Sequence, residues 1–201
     1  VDHEIRRRLL LARQLGPERM VALKSLRAES LDSPEAMARF KHEAEVMVAL
    51  DHAAILPVYR CGEMNGIPFF TMKLVEGGTL GDHIDRYSGQ WREIAELMAR
   101  VCDGVRHAHE RGVLHRALTP GNILFDAAGQ AYVSDFGIAK LADSQNAALT
   151  MTLTMIGTPH YLAPEVAAGS VNAASVTSDV WSLGVILYEL LTGQNRSRVR
   201  P

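Results

Sequence analysis

The chain has 201 residues, of which 47% are hydrophobic and 22% are charged, and its formal net charge is −2. This length supports one ordinary domain with a real core, and the composition is typical of a soluble globular protein. The small net charge argues against nucleic acid as the main partner. The longest apolar run, residues 180–191, is shorter than the ~20 residues that a membrane helix needs, so we expect no membrane segment. Two isolated cysteines, Cys61 and Cys102, exclude a disulfide framework and favour a reduced, cytoplasmic location.

Strand patterns dominate the first part of the chain. Residues 8–27 predict two strands joined by a turn at Gly16–Pro17. A helix with good capping residues at its start is predicted from about residue 32 to residue 51. Two strand-like runs follow within residues 54–75, and Asn65–Gly66 between them is a strong hairpin signal.

The second part of the chain is mostly helical by pattern. From about Trp91 to Glu110, apolar residues recur at helical spacing, and Gly112 is a stop signal. The segments "NILFD" and "AYVSD", joined by "AAGQ", predict a short hairpin. Residues 140–160 are polar and rich in threonine, which is typical of a mobile loop, and residues 178–192 predict a last, largely buried helix.

Several short segments carry a resemblance through their order and spacing, although none is decisive alone. They are "VALK", "FKHEAEVMVALDHAAILPVY", "FFTMKLVEGGTL", "HAHERGVLHRALTPGNILF", "VSDFGIAK", "GTPHYLAPE" and "SDVWSLGVILYELLTG". On these segments the chain resembles a bacterial, eukaryotic-like Ser/Thr protein kinase domain over roughly residues 8–193. The "GTPHY" segment favours a Ser/Thr over a Tyr substrate class.

The resemblance implies an α+β, protein-kinase-like two-lobe fold. A small strand-rich N-lobe with an incomplete glycine-rich loop is expected at residues 1–76. A helical C-lobe without its last helices is expected at residues 77–201, so the domain is predicted to be truncated at both ends.

The resemblance also implies an ATP site. Lys24 would reach the α- and β-phosphates, and Glu43 would pair with Lys24, with Glu45 as a neighbouring alternative. The adenine site would comprise Met72 at its back, the backbone of Lys73 and Val75 at the hinge, and Ala22 and Leu124 on either side of the ring. Ordinary core packing is the alternative for these apolar residues, and the two roles are compatible.

Metal binding and regulation follow from the same resemblance. Asn122 and Asp135 would hold Mg²⁺, because hard oxygen ligands suit this ion when phosphates complete its coordination. His115 and Phe136 would stack with Met47. The implied structural and regulatory residues are Asp179 as an anchor of the catalytic loop, Arg116 as a clamp for a phosphorylated activation loop, and Thr150, Thr152 and Thr154 as candidate phosphosites of that loop. A flexible loop that merely contains threonines is the alternative. A metal site at His107 and His109 is disfavoured, since the family pattern accounts for a helix end there.

The segment "HRALTPGN" departs from the family's H-R-D-L-K-x-x-N at two positions. Ala117 replaces the aspartate that accepts or orients the substrate hydroxyl proton, and Thr119 replaces the lysine that stabilises the transferring phosphoryl group. No catalytic residue of that loop is therefore intact. If the family's glycine-rich loop is aligned with the start of the chain, its glycine positions hold Asp2, Glu4 and Arg7.

Three functional interpretations remain. The favoured one is a kinase-family domain that binds ATP and Mg²⁺ but is impaired in phosphoryl transfer, with a protein substrate or a protein partner. An active Ser/Thr kinase is the second, because positioning and electrostatics dominate this reaction and weak activity without the aspartate is conceivable. The third is an interaction scaffold that binds no nucleotide.

Overall fold

A computed structural model of the chain describes residues 7–26, 44–136, 159–168 and 174–194. Four antiparallel strands form one sheet in the order β1-β2-β4-β3. The strands are β1 Arg7–Leu15, β2 Glu18–Leu26, β3 Val58–Met64 and β4 Ile67–Lys73. A short helical stretch at residues 44–48 packs against this sheet through Ala44 and Met47, which are both buried. The strand-rich first part predicted from sequence is therefore confirmed.

Turn chemistry explains both hairpins of the sheet. Asn65 and Gly66 have φ angles of 53° and 76°, the left-handed pair that a two-residue hairpin turn requires. The turn at Gly16–Pro17 joins β1 to β2, whose pairing runs from Arg7 opposite Leu26 to Leu15 opposite Glu18. The predicted positions of both turns are confirmed.

Helices and one short hairpin make up the second part. The helices are α1 Leu80–His83, α2 Trp91–His109, α3 Pro164–Ala167 and α4 Val176–Thr192. Between α2 and α3, strands β5 Ile123–Phe125 and β6 Ala131–Val133 form a two-stranded antiparallel sheet. Short 3₁₀ turns lie at Ile84–Tyr87, Pro120–Asn122 and Pro159–Tyr161. None of the helices described here has the length and apolar character needed to cross a membrane.

The long helix α2 follows its predicted pattern. Its predicted apolar face is buried throughout: Ile94, Leu97, Met98, Val101, Val105 and Ala108. Gly112, with φ of 74°, takes the left-handed conformation that ends the helical segment. The predicted helix and its stop signal are therefore confirmed.

Helix α4 differs from its prediction in two respects. It starts at Val176, two residues earlier than predicted, because Ser175 and Ser178 form a capping box at its N-terminus. It is also less buried than expected. One side packs on α2 and on two of the 3₁₀ turns. Five large apolar side chains remain exposed: Val176, Val180, Trp181, Tyr188 and Leu191.

The β5–β6 hairpin is held against both parts of the fold by backbone hydrogen bonds. The N–H of Leu56 donates to the carbonyl of Val133 (2.9 Å), and the N–H of Val133 donates to the carbonyl of Ala54 (2.8 Å). The segment after β4 reaches the same hairpin, where the N–H of Gly77 donates to the carbonyl of Phe125 (2.8 Å). The hairpin therefore lies where the sheet and the helices meet, and the candidate site is built around it.

Candidate functional site

The loop between α2 and β5 is held in place by one buried carboxylate of helix α4. Asp179 of α4 is 1% exposed, and its two oxygens accept the backbone N–H groups of His115 and Arg116, each at 2.8 Å. His109 at the end of α2 adds a third contact, with its Nε2 at 2.8 Å from Asp179 Oδ2. Arg116 sits at a positive φ of 68°, a conformation that a non-glycine residue keeps only where its surroundings hold it. The anchoring role expected for Asp179 is confirmed.

His115 is completely buried and acts as a structural residue of this loop. Its Nε2 donates to the carbonyl of Ser134 (2.8 Å), and its Nδ1 accepts the N–H of Ala117 (3.4 Å). Its ring lies 4.8 Å from that of Phe136, as expected, and Met47 lines the same small cavity as Phe136. Burial lowers the pKa of His115, in keeping with a neutral ring whose two nitrogens are both satisfied.

Asn122 closes the same loop. Its side-chain nitrogen donates to the carbonyl of Ala117 at 2.6 Å. Its own carbonyl accepts both the N–H (2.9 Å) and the hydroxyl (3.1 Å) of Ser134. Since Ser134 precedes Asp135, these bonds hold the two expected metal ligands on neighbouring segments. The loop is thus closed at both ends without any group from the side chain of Ala117.

The two substituted positions lie within this ordered loop. Ala117 and Thr119 are both partly exposed, so each stands where a longer side chain could extend from the loop. The methyl group of Ala117 offers no proton acceptor, and the Thr119 hydroxyl carries no charge. At these two positions the ordered loop therefore offers no carboxylate and no cationic side chain.

Lys24 of the inner strand β2 forms an ion pair with Asp135. Lys24 Nζ lies 2.6 Å from Asp135 Oδ1, and the two side chains are 14% and 24% exposed. Asp135 has a positive φ of 64°, so two of the three non-glycine residues with left-handed φ among those described lie in this site. Local strain of this kind is concentrated where a protein places functional groups. The structure thus brings together a cation expected at phosphate and a carboxylate expected at metal.

The side chains of Asn122 and Asp135 fit a magnesium ion by their chemistry. The Asn122 side-chain nitrogen donates to Ala117, the amide oxygen of Asn122 is an acceptor of the kind that Mg²⁺ takes, and Asp135 supplies a carboxylate. Nowhere in the described segments do three or more His, Cys, Asp or Glu side chains converge as a metal site. An ion held by two protein oxygens would take its other ligands from phosphates and water, which is the usual coordination of Mg²⁺ at nucleotide sites.

The side chains expected to surround adenine are all part of, or packed against, the same hydrophobic core. Ala22 and Met72 are buried and pair across β2 and β4. Val75 and Leu124 are partly buried against the same core. The N–H of Lys73 donates to the carbonyl of Pro57 (2.9 Å), so this N–H already has a partner within the fold. The small cavity behind Met72 is lined by Phe70, Met72, Asp135 and Phe136, among others, and adjoins the Lys24–Asp135 pair.

Some of the predicted residues lie outside the described part of the chain. They are Glu43, the threonines at 150, 152 and 154, and the positions Asp2 and Glu4. Glu45 is described and is exposed. Its exposure is that of a solvated helix residue.

Sequence reasoning missed two features of the site region. The first is α1, whose capping box joins Thr79 to Asp82; the Thr-x-x-Asp spacing was a usable signal for it. The second is the side chain of Lys73, which contacts Asp126 and Tyr132 across the chain. No local sequence pattern predicts these contacts, because Asp126 and Tyr132 are 53 and 59 residues away from Lys73.

Comparison with known proteins agrees with this geometry. The family described as "Protein kinase domain" matches residues 9–199. The chain is 42% identical over 191 residues to the serine/threonine-protein kinase PknB of Mycolicibacterium smegmatis, covering 92% of the chain and 30% of that protein. It is 37% identical over 185 residues to the serine/threonine-protein kinase PrkC of Bacillus subtilis, covering 92% of the chain and 28% of that protein.

A solved structure matches as well. The crystal structure of the kinase domain of PknI from Mycobacterium tuberculosis superimposes with a TM-score of 0.70 at 26% identity, over 96% of this chain and 72% of that one. The chain spans less than a third of the length of the curated relatives named above. The family match covers nearly the whole chain, and the relatives are bacterial Ser/Thr kinases; the chain therefore belongs to the protein kinase family, as a domain of the bacterial Ser/Thr type.

Proposed function

We propose that this chain is a kinase-family domain that binds Mg-ATP and is impaired in phosphoryl transfer, as a pseudokinase or kinase remnant with a signalling role toward a protein substrate or partner. The observation that carries the proposal is the contrast within one site. The residues expected at phosphate and metal, Lys24, Asp135 and Asn122, are retained, and Lys24 contacts Asp135, whereas the side chain of Ala117 offers no proton acceptor. A site that keeps its nucleotide-binding groups but lacks a general base can bind ATP and yet transfer its phosphoryl group slowly.

Each retained residue has a binding role that its geometry permits. Lys24 would contact the phosphates in place of its present partner Asp135, and Asp135 and Asn122 would hold Mg²⁺. Bound Mg²⁺ would supply neutralisation of the phosphate charge. The buried Met72 and the backbone after β4 would receive the adenine. Positioned general-base catalysis is worth ~10²–10⁴-fold, so the loss of that group at Ala117 alone lowers transfer strongly.

The first test is a melting curve with and without ATP and Mg²⁺. A ligand present at 100 times its Kd stabilises the folded form by about 2.7 kcal/mol, or about 5–10 °C for a chain of this size. We expect such a rise in the native chain. We expect none in Asp135→Ala, and an unchanged rise in Asp85→Ala, which removes an exposed carboxylate from the same lobe. A native chain that melts cooperatively and shows no rise would contradict nucleotide binding and favour the interaction scaffold.

An active Ser/Thr kinase is the second candidate, and the ordered loop is the observation in its favour. Asp179, His115 and Asn122 hold the loop in place, so positioning of a substrate hydroxyl survives the substitution. The two candidates separate when transfer to a Ser/Thr peptide is measured for the native chain and for a variant with the family residues restored. A native rate equal to the restored rate would support the active kinase.

A further inference from the structure

The side chain of Lys73 is part of a closed network of three polar groups. Its Nζ donates to Asp126 Oδ2 (2.9 Å) and to the Tyr132 hydroxyl (2.6 Å). The Tyr132 hydroxyl in turn donates to Asp126 Oδ2 (2.9 Å). We call Lys73, Asp126 and Tyr132 the Lys73 cluster. Each member bonds to both others, so the loss of one side chain leaves the other two without their full set of partners.

The charges of the Lys73 cluster reinforce one another. The hydrogen bond from Lys73 lowers the pKa of Asp126 to about 2, and the hydrogen bond with Tyr132 raises the pKa of Lys73. Both groups are therefore charged at neutral pH. The other carboxylate oxygen of Asp126 accepts the N–H groups of Ala128 and Gln130, so the turn holds the carboxylate in place before Lys73 meets it. The side chains of Lys73 and Asp126 are 30% and 19% exposed, which shields the contact only in part.

The cluster joins two parts of the fold at the candidate adenine site. Lys73 is the last residue of β4, whereas Asp126 and Tyr132 belong to the β5–β6 hairpin. The segment that follows Lys73, residues 73–79, is the hinge segment. Its far end is already fastened, because the N–H of Gly77 donates to Phe125 and the N–H of Phe125 donates to Gly78. The cluster fastens the near end to the same hairpin, so the residues between are held from both sides.

We propose that Lys73 is a positioning residue for the nucleotide: its side chain, through Asp126 and Tyr132, holds the hinge segment so that its backbone is ordered before adenine arrives. The inference rests on the proposed function for its nucleotide half. Its structural half, the ordering of residues 74–78, stands on the contacts alone. A segment ordered in advance binds more tightly, since the entropy of ordering it is not lost on binding.

The first measurement needs no nucleotide. Amide hydrogen exchange is followed at residues 74–78 in the native chain, in Lys73→Met and in Tyr132→Phe, which keeps the ring and removes the hydroxyl. We expect exchange about tenfold faster in each variant, and a double variant that is no faster than the faster single one. Arg92→Met, which removes an exposed cation from α2, serves as the matched control and should exchange at the native rate. Native exchange rates in both cluster variants would overturn the inference.

The second measurement separates positioning from general loosening. The Kd values of Mg-ADP and of Mg-tripolyphosphate, which has no base, are compared in the native chain and the variants. We expect Lys73→Met and Tyr132→Phe to weaken Mg-ADP about tenfold and to leave Mg-tripolyphosphate unchanged. Equal weakening of both ligands would overturn the positioning role. Failure of the native chain to bind Mg-ADP would overturn the proposed function and the nucleotide half of the inference, whereas unchanged exchange overturns the inference alone.

Discussion

The side-chain nitrogen of Asn122 donates a hydrogen bond of 2.6 Å to the backbone carbonyl of Ala117. The residue expected to hold the metal thus supports the backbone of the residue that stands where the family pattern leads us to expect an aspartate. This hydrogen bond involves only the backbone of Ala117, so it forms regardless of which side chain residue 117 carries. Together with the hydrogen bonds that the N–H groups of His115 and Arg116 donate to Asp179, it explains how the loop is held in place with an alanine at position 117.

Restoring the two family residues should raise phosphoryl transfer. Ala117→Asp with Thr119→Lys places an acceptor and a cation on a loop that is already ordered, so we expect a gain of at least ~10²-fold in transfer to a Ser/Thr peptide. The measurement is the initial rate with labelled ATP. The same pair combined with Asp135→Ala should show no gain, because it lacks a metal ligand. A restored enzyme no faster than the native chain would contradict the impaired interpretation.

Removing the anchor carboxylate should destabilise the whole lobe. Asp179→Ala leaves the N–H groups of His115 and Arg116 and the ring of His109 without their acceptor in a buried place, so we expect a loss of about 3–5 kcal/mol in the free energy of unfolding. Denaturant unfolding measures it. The exposed Asp85→Ala should change stability by less than ~0.5 kcal/mol. A similarly small effect at Asp179 would show that water replaces its contacts.

A methyl group at Gly77 should disturb the hinge segment. A Cβ there would lie 2.6 Å from the carbonyl oxygen of Phe125 and 2.7 Å from that of Asp126, so backbone must move. We expect Gly77→Ala to lose about 1–3 kcal/mol of unfolding free energy. Gly184→Ala is the matched change, because nothing lies within 4 Å of its Cβ in α4, and it should gain about 0.5–1 kcal/mol. Equal effects at the two glycines would refute the steric argument.

Buried His115 should make stability depend on pH. Its pKa in the folded chain is lowered by burial, so between that pKa and the ordinary value of about 6.5 the unfolded chain binds a proton that the folded chain does not. Stability therefore falls as pH drops below about 6.5, with a slope of up to ~1.4 kcal/mol per pH unit from this group. Urea unfolding between pH 7.5 and about 5 measures the slope. His115→Gln should reduce that slope, and an unchanged slope would assign it to other histidines.

Local pattern was sufficient for most of the secondary structure. Asn65–Gly66 and Gly16–Pro17 marked two hairpin turns, and the apolar spacing from Trp91 onward marked one face of α2. These signals lie within a few residues of one another, so their physics is contained in the local sequence. The start of α4 was placed two residues late, because its first turn depends on the Ser175–Ser178 capping box rather than on apolar spacing.

The sequence by itself determined the kinase fold and the absence of a carboxylate at Ala117, since residue types and their order are sufficient for these, and it predicted which residues bind the nucleotide and the metal. Only the tertiary structure decided which groups meet. Lys24 contacts Asp135 across 111 positions, and Asp179 reaches His115 across 64. The Lys73 cluster is the clearest case. In the sequence, Lys73 is a single lysine at the end of a strand, and it becomes part of a charged network only because the β5–β6 hairpin folds beside it. Such contacts depend on the path of the whole chain, and no local period encodes that path.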